Sequence, residues 1–347
     1  MKKLASLLVV ASMLTGVLVG CGSGNNTPVK SAEVTSKAGD TEVAAGVEPI
    51  VLKAAHAISE QTSYHKGMEK FKEEVEKRTE GKIKIELYPN GQLGNERDAV
   101  EGMQLGTIDI TLVAAAVLTS FAPDMAVLDY PFAFDDAAHA RRFMASSAGD
   151  KFKEQLKAQQ FNVLGYFENG FRNVYSVKPI RSIEDFKGVK IRTMENEIHM
   201  AAFNKLGAIA TPMASGEVFA GLQQKTIDAA ENASEDVITR SFHEVVTSLT
   251  RTGHVYGFLG LGISDMALAK IPADLVPAIE EAGKIASEYQ AELITQSNTD
   301  AERDLPGYGV EVYDIDREAL AKATQEEIKS KFSFNKAVFA EIENTRQ

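Results

Sequence analysis

The sequence predicts an α/β protein of two domains, and three observations predict it. From Val51 to Val113 strand-like and helix-like patterns alternate as β-α-β-α-β, the order of a parallel sheet with helices on its faces. From Phe161 to Asn232 the alternation returns with different residues and no fixed repeat period. About 300 residues carry these patterns, enough for two cores.

Val51 to Ala57 is an apolar opening strand. Residues 65–80 read as an amphipathic helix, with Met68, Phe71 and Val75 on one face and Lys and Glu on the other, stopped by Gly81. Ile83, Ile85 and Leu87 alternate with Lys84 and Glu86 as a strand, and Pro89-Asn90-Gly91 is turn chemistry. Asn95 caps a helix through Leu105 that Gly106 closes, and Ile108 to Val113 is the next strand.

In the second run Phe161 to Phe167 is a strand, and Ser182 with Asp185 resembles a capping box. The short strand Val189-Lys190-Ile191-Arg192 leads into a helix ending at Leu206 and Gly207. Ser215 caps a helix through Gln224, Ile227 to Ala230 is a strand ending on Glu231-Asn232, and residues 234–246 read as helix. Leu259 to Ile263 is a strand, residues 274–300 a long helix, Gly309 to Tyr313 a strand, and 316–345 helical.

The amino terminus reads as an address. Lys2 and Lys3 precede an uncharged run from Leu4 to Gly20, and Leu18-Val19-Gly20-Cys21 resembles a lipobox. Cys21 is the only cysteine. The resemblance implies a lipoprotein signal over 1–20, cleavage before Cys21 and lipidation there, so that the chain is extracytoplasmic and held to the cell membrane by lipid. Residues 21–47 have no apolar period and too little hydrophobic content to offset their ordering entropy, which predicts a flexible tether. No later apolar run approaches the ~20 residues of a membrane span.

Net charge is −12, and loss of Lys2 and Lys3 takes it to −14. That balance argues against nucleic acid and against electrostatic docking on anionic lipid, but not against an anionic ligand in a cleft lined by arginines. With its one cysteine lipidated the chain has no disulfide to form. Arg192 and Asn232 fall at strand ends, where open α/β sheets bind ligands.

Read in order, several segments resemble the substrate-binding subunits of tripartite ATP-independent periplasmic (TRAP) transporters, the DctP-like family. They are Leu52-Lys53-Ala54-Ala55-His56, Tyr88 to Gly94, Gln104 to Asp109, Leu128-Asp129-Tyr130-Pro131-Phe132, Asp185 to Arg192, Leu206-Gly207-Ala208 with Thr211-Pro212-Met213, and Glu217 through Asp228 to Glu231-Asn232. The resemblance implies a periplasmic-binding-protein-like fold, in which two α/β domains, joined by hinge strands and a long helix, close around a ligand cleft. Domain I would hold 48–170 and 257–297, and domain II 171–256 and 298–347. It implies a receptor for a small organic acid, without cofactor or metal, that delivers its ligand to the small and large membrane subunits of an ion-gradient-driven permease.

The resemblance also assigns a site. Arg192 matches the family's carboxylate-binding arginine, and arginine suits that task because its planar, permanently charged fork grips both carboxylate oxygens. Arg172, after Gly170, matches a second contact, with a rim ion pair to Glu168 or Glu231 as the other role open to it. Asn232 matches the ligand-binding asparagine, with helix capping as its alternative. His56 ends the first strand where the family meets its ligand, with a satisfied structural histidine as its alternative, and Glu60, Gln61 and Tyr64 follow in a loop within reach. Glu231 and Phe171 complete the candidate set, with buried core as the favoured alternative for Phe171. Ala114-Ala115-Ala116 stand where sialic-acid binders carry polar residues, and alanines cannot hydrogen-bond a polyhydroxylated tail. That points to sugar acids (uronates, aldonates) or C4-dicarboxylates.

A secreted enzyme is disfavoured. There is no G-x-S-x-G and no H-E-x-x-H, the six histidines are scattered, and the glycines around 257–262 have the wrong spacing for a dinucleotide loop. Presentation of the ligand to a sensor kinase or to an ATP-driven permease is the alternative output.

Overall fold

The computed structural model describes residues 48–346. The signal over 1–20, Cys21 and the tether over 21–47 lie outside the described residues. Two sheets form. The first holds β1 (Ile50–His56), β2 (Ile83–Tyr88), β3 (Ile110–Ala114), β4 (Phe161–Phe171) and β10 (Tyr256–Ser264) in the order β2-β1-β3-β10-β4. The second holds β5 (Asn173–Ser176), β6 (Lys190–Thr193), β7 (Ile209–Pro212), β8 (Ala229–Asn232), β9 (Ser248–Arg251) and β11 (Glu311–Asp314) in the order β11-β9-β5-β8-β6-β7.

Both sheets are mixed. β1 runs parallel to β2 and β3, while β10 is antiparallel to both β3 and β4. In the second sheet β6 is parallel to β7 and β8, and β5 is antiparallel to β8 and β9. The chain therefore crosses between sheets twice near one place: at Arg172, between β4 and β5, and over 252–255, between β9 and β10. The crossings are bonded to each other, since Arg172 N–H donates to the Val255 carbonyl at 2.8 Å.

Each sheet carries its own apolar clusters. Met68, Phe71 and Val75 of the helix Ser63–Arg78 are fully buried against Leu52, Ile83 and Ile85 of β1 and β2. Burial of each such side chain is worth about 1.5–3 kcal/mol, which explains why the periodicity was so readable. Around the second sheet, Tyr175, Val218, Leu222 and Leu249 form one cluster, and Ile191, Phe186 and Phe203 another.

The helix Val276–Asp304 spans 29 residues and lies on the helix Ser63–Arg78 and on β4. Two glycines allow that approach. A Cβ on Gly165 would stand 2.2 Å from Ser287 Oγ, and one on Gly283 would stand 2.6 Å from the Leu164 carbonyl oxygen. Further along the same helix, Asn298 accepts the Glu235 N–H at 3.0 Å, so it also touches the helix Glu235–Thr239.

Three expectations change in detail. Asn95 caps its helix as a full capping box with Asp98, but Ser182 and Asp185 start only a single turn, Glu184–Phe186. The stretch 234–246 is a short helix, Glu235–Thr239, and a turn, Phe242–Glu244, broken by Ser241 at φ +58°. The stretch 316–345 is two helices, Arg317–Lys331 and Lys336–Asn344. The last of these packs by the first sheet, where His139 bonds the Ile342 carbonyl and Asn335 donates to Asp124. The strands β5, β7 and β9 and the helices Ala137–Met144 and Ser147–Lys157 carry no signal read above. Among the described residues no helix is long and apolar enough to cross a membrane.

Candidate functional site

The carboxyl ends of β3, β6 and β8 and the crossing at Arg172 converge on one pocket. Its walls include Tyr64, Ala114–Ala116, Asn169, Arg172, Arg192, Asn232, Asp236, Arg240 and Glu96.

Arg192 is the most informative of them. It sits near the end of β6 and is 3% exposed. Its Nε and one terminal nitrogen donate to the Met213 carbonyl at 2.9 and 2.7 Å. Among the described residues no carboxylate lies within 4 Å of it, so the ion pair that an isolated arginine would be expected to form is absent. Burial pulls its pKa down; Glu231 opposes this, and the positive charges of Arg172 and Arg240 add to it. A buried cation without a counter-ion is costly, and the chemistry that relieves it is an anion brought from outside.

Arg172 behaves oppositely. It is 4% exposed, and its Nε and Nη2 grip Glu231 bidentately at 2.5 and 2.9 Å. Nη2 also reaches the Glu231 carbonyl at 2.7 Å, while Nη1 donates to Asn232 at 2.6 Å and Asn169 at 3.3 Å. All five N–H donors are thus occupied. Glu231 is fully buried and does not line the pocket; it stands behind Arg172 as its partner. Burial pushes the Glu231 carboxyl up, but Arg172 and the hydrogen bond from His254 outweigh it and hold it well below the usual range. Glu168 is taken by Arg141 at 2.6 Å.

Asn232 closes β8 into the pocket. Its oxygen accepts from Arg172 and from Asn169 at 3.0 Å, and its amide donates to Asp236. It does not cap the following helix, nor does the Ser234 side chain, which instead bonds Glu302 at 2.7 Å. Tyr64 lines the pocket and accepts from Asn169 at 2.6 Å.

Asn169 itself was not singled out from the sequence. β4 and β10 slip register where Glu168 faces Phe258 and Gly170 faces Gly257, which leaves Asn169 as the extra residue of a bulge. Bulges re-aim side chains, and Gly170 at φ +76° makes this one possible.

The remaining candidates lie elsewhere. His56 is buried beside the pocket; its Nε2 meets His65 Nδ1 at 3.0 Å and its Nδ1 accepts the Ile58 N–H at 3.2 Å. Burial and the neighbouring His65 push it down to about 4, so it is neutral at pH 7. Glu60 and Gln61 are exposed, and Glu60 accepts from Asn90 at 3.1 Å. Phe171 packs edge-on against Tyr256, with the Arg317 guanidinium over its ring, and does not itself line the pocket.

Asp236, Arg240 and Glu96 are further pocket residues that sequence reasoning missed. Asp236 and Arg240 sit in and just after an irregular helix with no motif around them, and Glu96 reads only as a first-turn acid next to its cap. Arg240 donates to Ser215 Oγ at 2.9 Å and to its carbonyl at 2.7 Å, and Glu96 accepts the Ala114 N–H at 2.7 Å.

Behind Arg172, His199, Glu231 and His254 bring ligand atoms within 4.8 Å of one another. A cation there would face the guanidinium already bound to Glu231, so the cluster suits holding Arg172 better than holding a metal.

Next to the pocket, Glu235 accepts the Ser63 N–H at 3.2 Å and its hydroxyl at 2.8 Å. Burial, then the neighbouring Asp236, push its pKa up from 4.5 to about 7. An acid whose folded pKa is raised binds a proton in the folded state that the unfolded chain has released. Stability therefore falls as pH rises from about 4.5 to about 7. Glu235→Gln is expected to flatten the melting temperature across that window and to raise it above wild type at pH 8; a parallel pH profile would contradict this.

Compared with known proteins, residues 54–335 match the family model DctP, bacterial extracellular solute-binding protein, family 7. A solute-binding protein of Verminephrobacter eiseniae is 34% identical over 294 residues, covering 83% of this chain and 88% of the relative. A TRAP periplasmic solute-binding protein of Polaromonas, solved bound to D-erythronate, is 30% identical with a TM-score of 0.82, covering 86% of this chain and 99% of that one. Another from Sulfurospirillum deleyianum, with bound succinate, is 28% identical with a TM-score of 0.82, covering 86% and 99%.

Proposed function

We propose that this chain, which belongs to the family of bacterial extracellular solute-binding proteins, family 7, the substrate-binding receptors of TRAP transporters, captures a sugar acid or C4-dicarboxylate with Arg192 as its carboxylate anchor. The observation that carries the assignment is the buried guanidinium of Arg192, without an ion-pair partner among the described residues. A ligand carboxylate supplies the missing counter-charge and takes the donors that Met213 leaves free. Asn232, Asn169 and Tyr64 add polar contacts. Arg172, locked by Glu231, lends positive potential and a fixed wall. The ligands bound in the two related structures, D-erythronate and succinate, fall in this chemical class.

Closure follows from the same geometry. The pocket is walled by residues from both sheets, and the chain passes between the sheets at Arg172 and at 252–255. We take these crossings as the hinge between a domain of 48–170 with 257–297, to which the last helix Lys336–Asn344 returns, and one of 171–256 with 298–331. A ligand touching both shifts the population toward the closed form by its differential affinity. The closed receptor then delivers its acid to the two membrane subunits of the permease, from a lipid anchor at Cys21. Mass spectrometry of the mature amino terminus tests the anchor, and an unmodified or uncleaved Cys21 would remove it.

The test of function is a thermal-shift screen of the purified protein, stripped of carried-over ligand, against uronates, aldonates, C4-dicarboxylates, keto acids, sialic acid, amino acids and neutral sugars. A ligand that binds only the native state raises the melting temperature by mass action. The expected result is a shift confined to one class of organic acid. A shift with neutral sugars alone, or with no acid, would contradict the proposal.

A further inference from the structure

We infer that Asp236 and Arg240 form a hydroxyl-reading subsite, so that the ligand of this pocket is a hydroxylated monocarboxylate of the aldonate type and not a dicarboxylate. The inference rests on Arg192 as the carboxylate anchor.

Asp236 is 1% exposed and lines the pocket. One of its oxygens, Oδ2, accepts from the Asn232 amide, while Oδ1 has no hydrogen-bond partner among the described residues. Buried carboxylate oxygens are ordinarily satisfied, and an orphan acceptor in a binding pocket calls for a donor on the ligand. Its nearest cationic neighbour does not fill that need: Arg240 Nη1 stands 3.9 Å from Oδ2, too far for a hydrogen bond. Arg240 instead bonds Ser215, which leaves further N–H donors unspent.

The group that fits here must donate to Asp236 and accept from Arg240. A hydroxyl does both. A carbonyl or a second carboxylate only accepts, so it would leave Oδ1 orphaned. An ammonium donates, but it would sit among Arg192, Arg240 and Arg172. Ala114–Ala116 offer an apolar wall with no side-chain donor or acceptor, so the hydroxyls must be read from the Asp236 side.

Asn at position 236 would invert the subsite. Its oxygen must face the Asn232 amide, as Oδ2 of Asp236 does, which turns its own NH2 toward the vacancy left by Oδ1. An acceptor becomes a donor in nearly the same volume.

The experiment is calorimetric titration of the purified full-length protein with two matched series: D-erythronate, butyrate and succinate at four carbons, and D-galactonate and adipate at six. In wild type the hydroxy acid of at least one series is expected to bind about 10-fold or more tighter than its partners. Asp236→Asn is expected to weaken that acid by about 10-fold or more and to move the ratio toward the dicarboxylate. The wild-type series needs no variant to fold. A dicarboxylate or unsubstituted acid binding wild type as tightly as the hydroxy acid would overturn the inference, as would an unchanged ratio in Asp236→Asn. Binding of no acid, or binding unaffected by Arg192→Ala, would overturn the underlying receptor reading as well, so the two failures are distinguishable.

Discussion

Arg192→Ala is expected to weaken acid binding by roughly 30-fold to several thousand-fold, the equivalent of the 2–5 kcal/mol that truncating one partner of a desolvated charge pair costs. Arg192→Lys keeps the charge but loses the planar fork and is expected to fall between. The same position makes a second, opposite statement about stability. Without ligand, Arg192 is a buried charge with no acid within 4 Å among the described residues and two hydrogen bonds to one carbonyl. Replacing an uncompensated buried ion by an apolar side chain is neutral or stabilising. Arg192→Met is therefore expected to melt no lower than wild type when both are unliganded, although it binds no acid. A structural arginine would show the reverse: a lowered melting temperature and intact binding.

Glu231→Gln is the counterpart and is expected to have the largest effect on the fold. Glu231 is fully buried, holds two Arg172 nitrogens at 2.5 and 2.9 Å and accepts from His254 at 3.2 Å. Removing its charge leaves the Arg172 guanidinium buried and uncompensated, at a cost of about 3–5 kcal/mol. Urea unfolding of the unliganded protein reads this directly. The site is also affected, because Arg172 positions Asn232 and Asn169. A loss below about 1 kcal/mol, the size of a surface pair, would contradict the account of Arg172 as a locked wall. Two arginines of one pocket thus differ in kind: one is satisfied by the protein, the other waits for the ligand.

What the sequence disclosed, and what it hid, follows the range of the forces involved. Period and caps are local, so the β-α-β-α-β opening, the capping Asn95 and the long helix were legible within a few residues of their ends. Arg192 and Asn232 were legible because they end strands inside recognisable segments. Glu231 read as a ligand contact, but the structure places it one layer deeper. Adjacent strand residues point to opposite faces, and the chain around Asn232 cannot present both to the pocket. Asn169 was hidden because a bulge depends on the partner strand, here Gly257, 88 residues away in number, whose own Cβ would stand 2.8 Å from Asn169 Cβ. Asp236 and Arg240 were hidden because the helix carrying them is only five residues long and breaks at Ser241. The short strands β5, β7 and β9 are four residues each, too brief for alternation to show.

The central claim is that a ligand carboxylate replaces the missing counter-ion of Arg192, and a crystal structure with the acid that gives the largest thermal shift tests it most directly. The predicted result is a carboxylate held bidentately by the Arg192 guanidinium at about 2.7–2.9 Å, with Arg172 still bound to Glu231. An Arg192 bonded only to the Met213 carbonyl, with the acid held elsewhere, would contradict it.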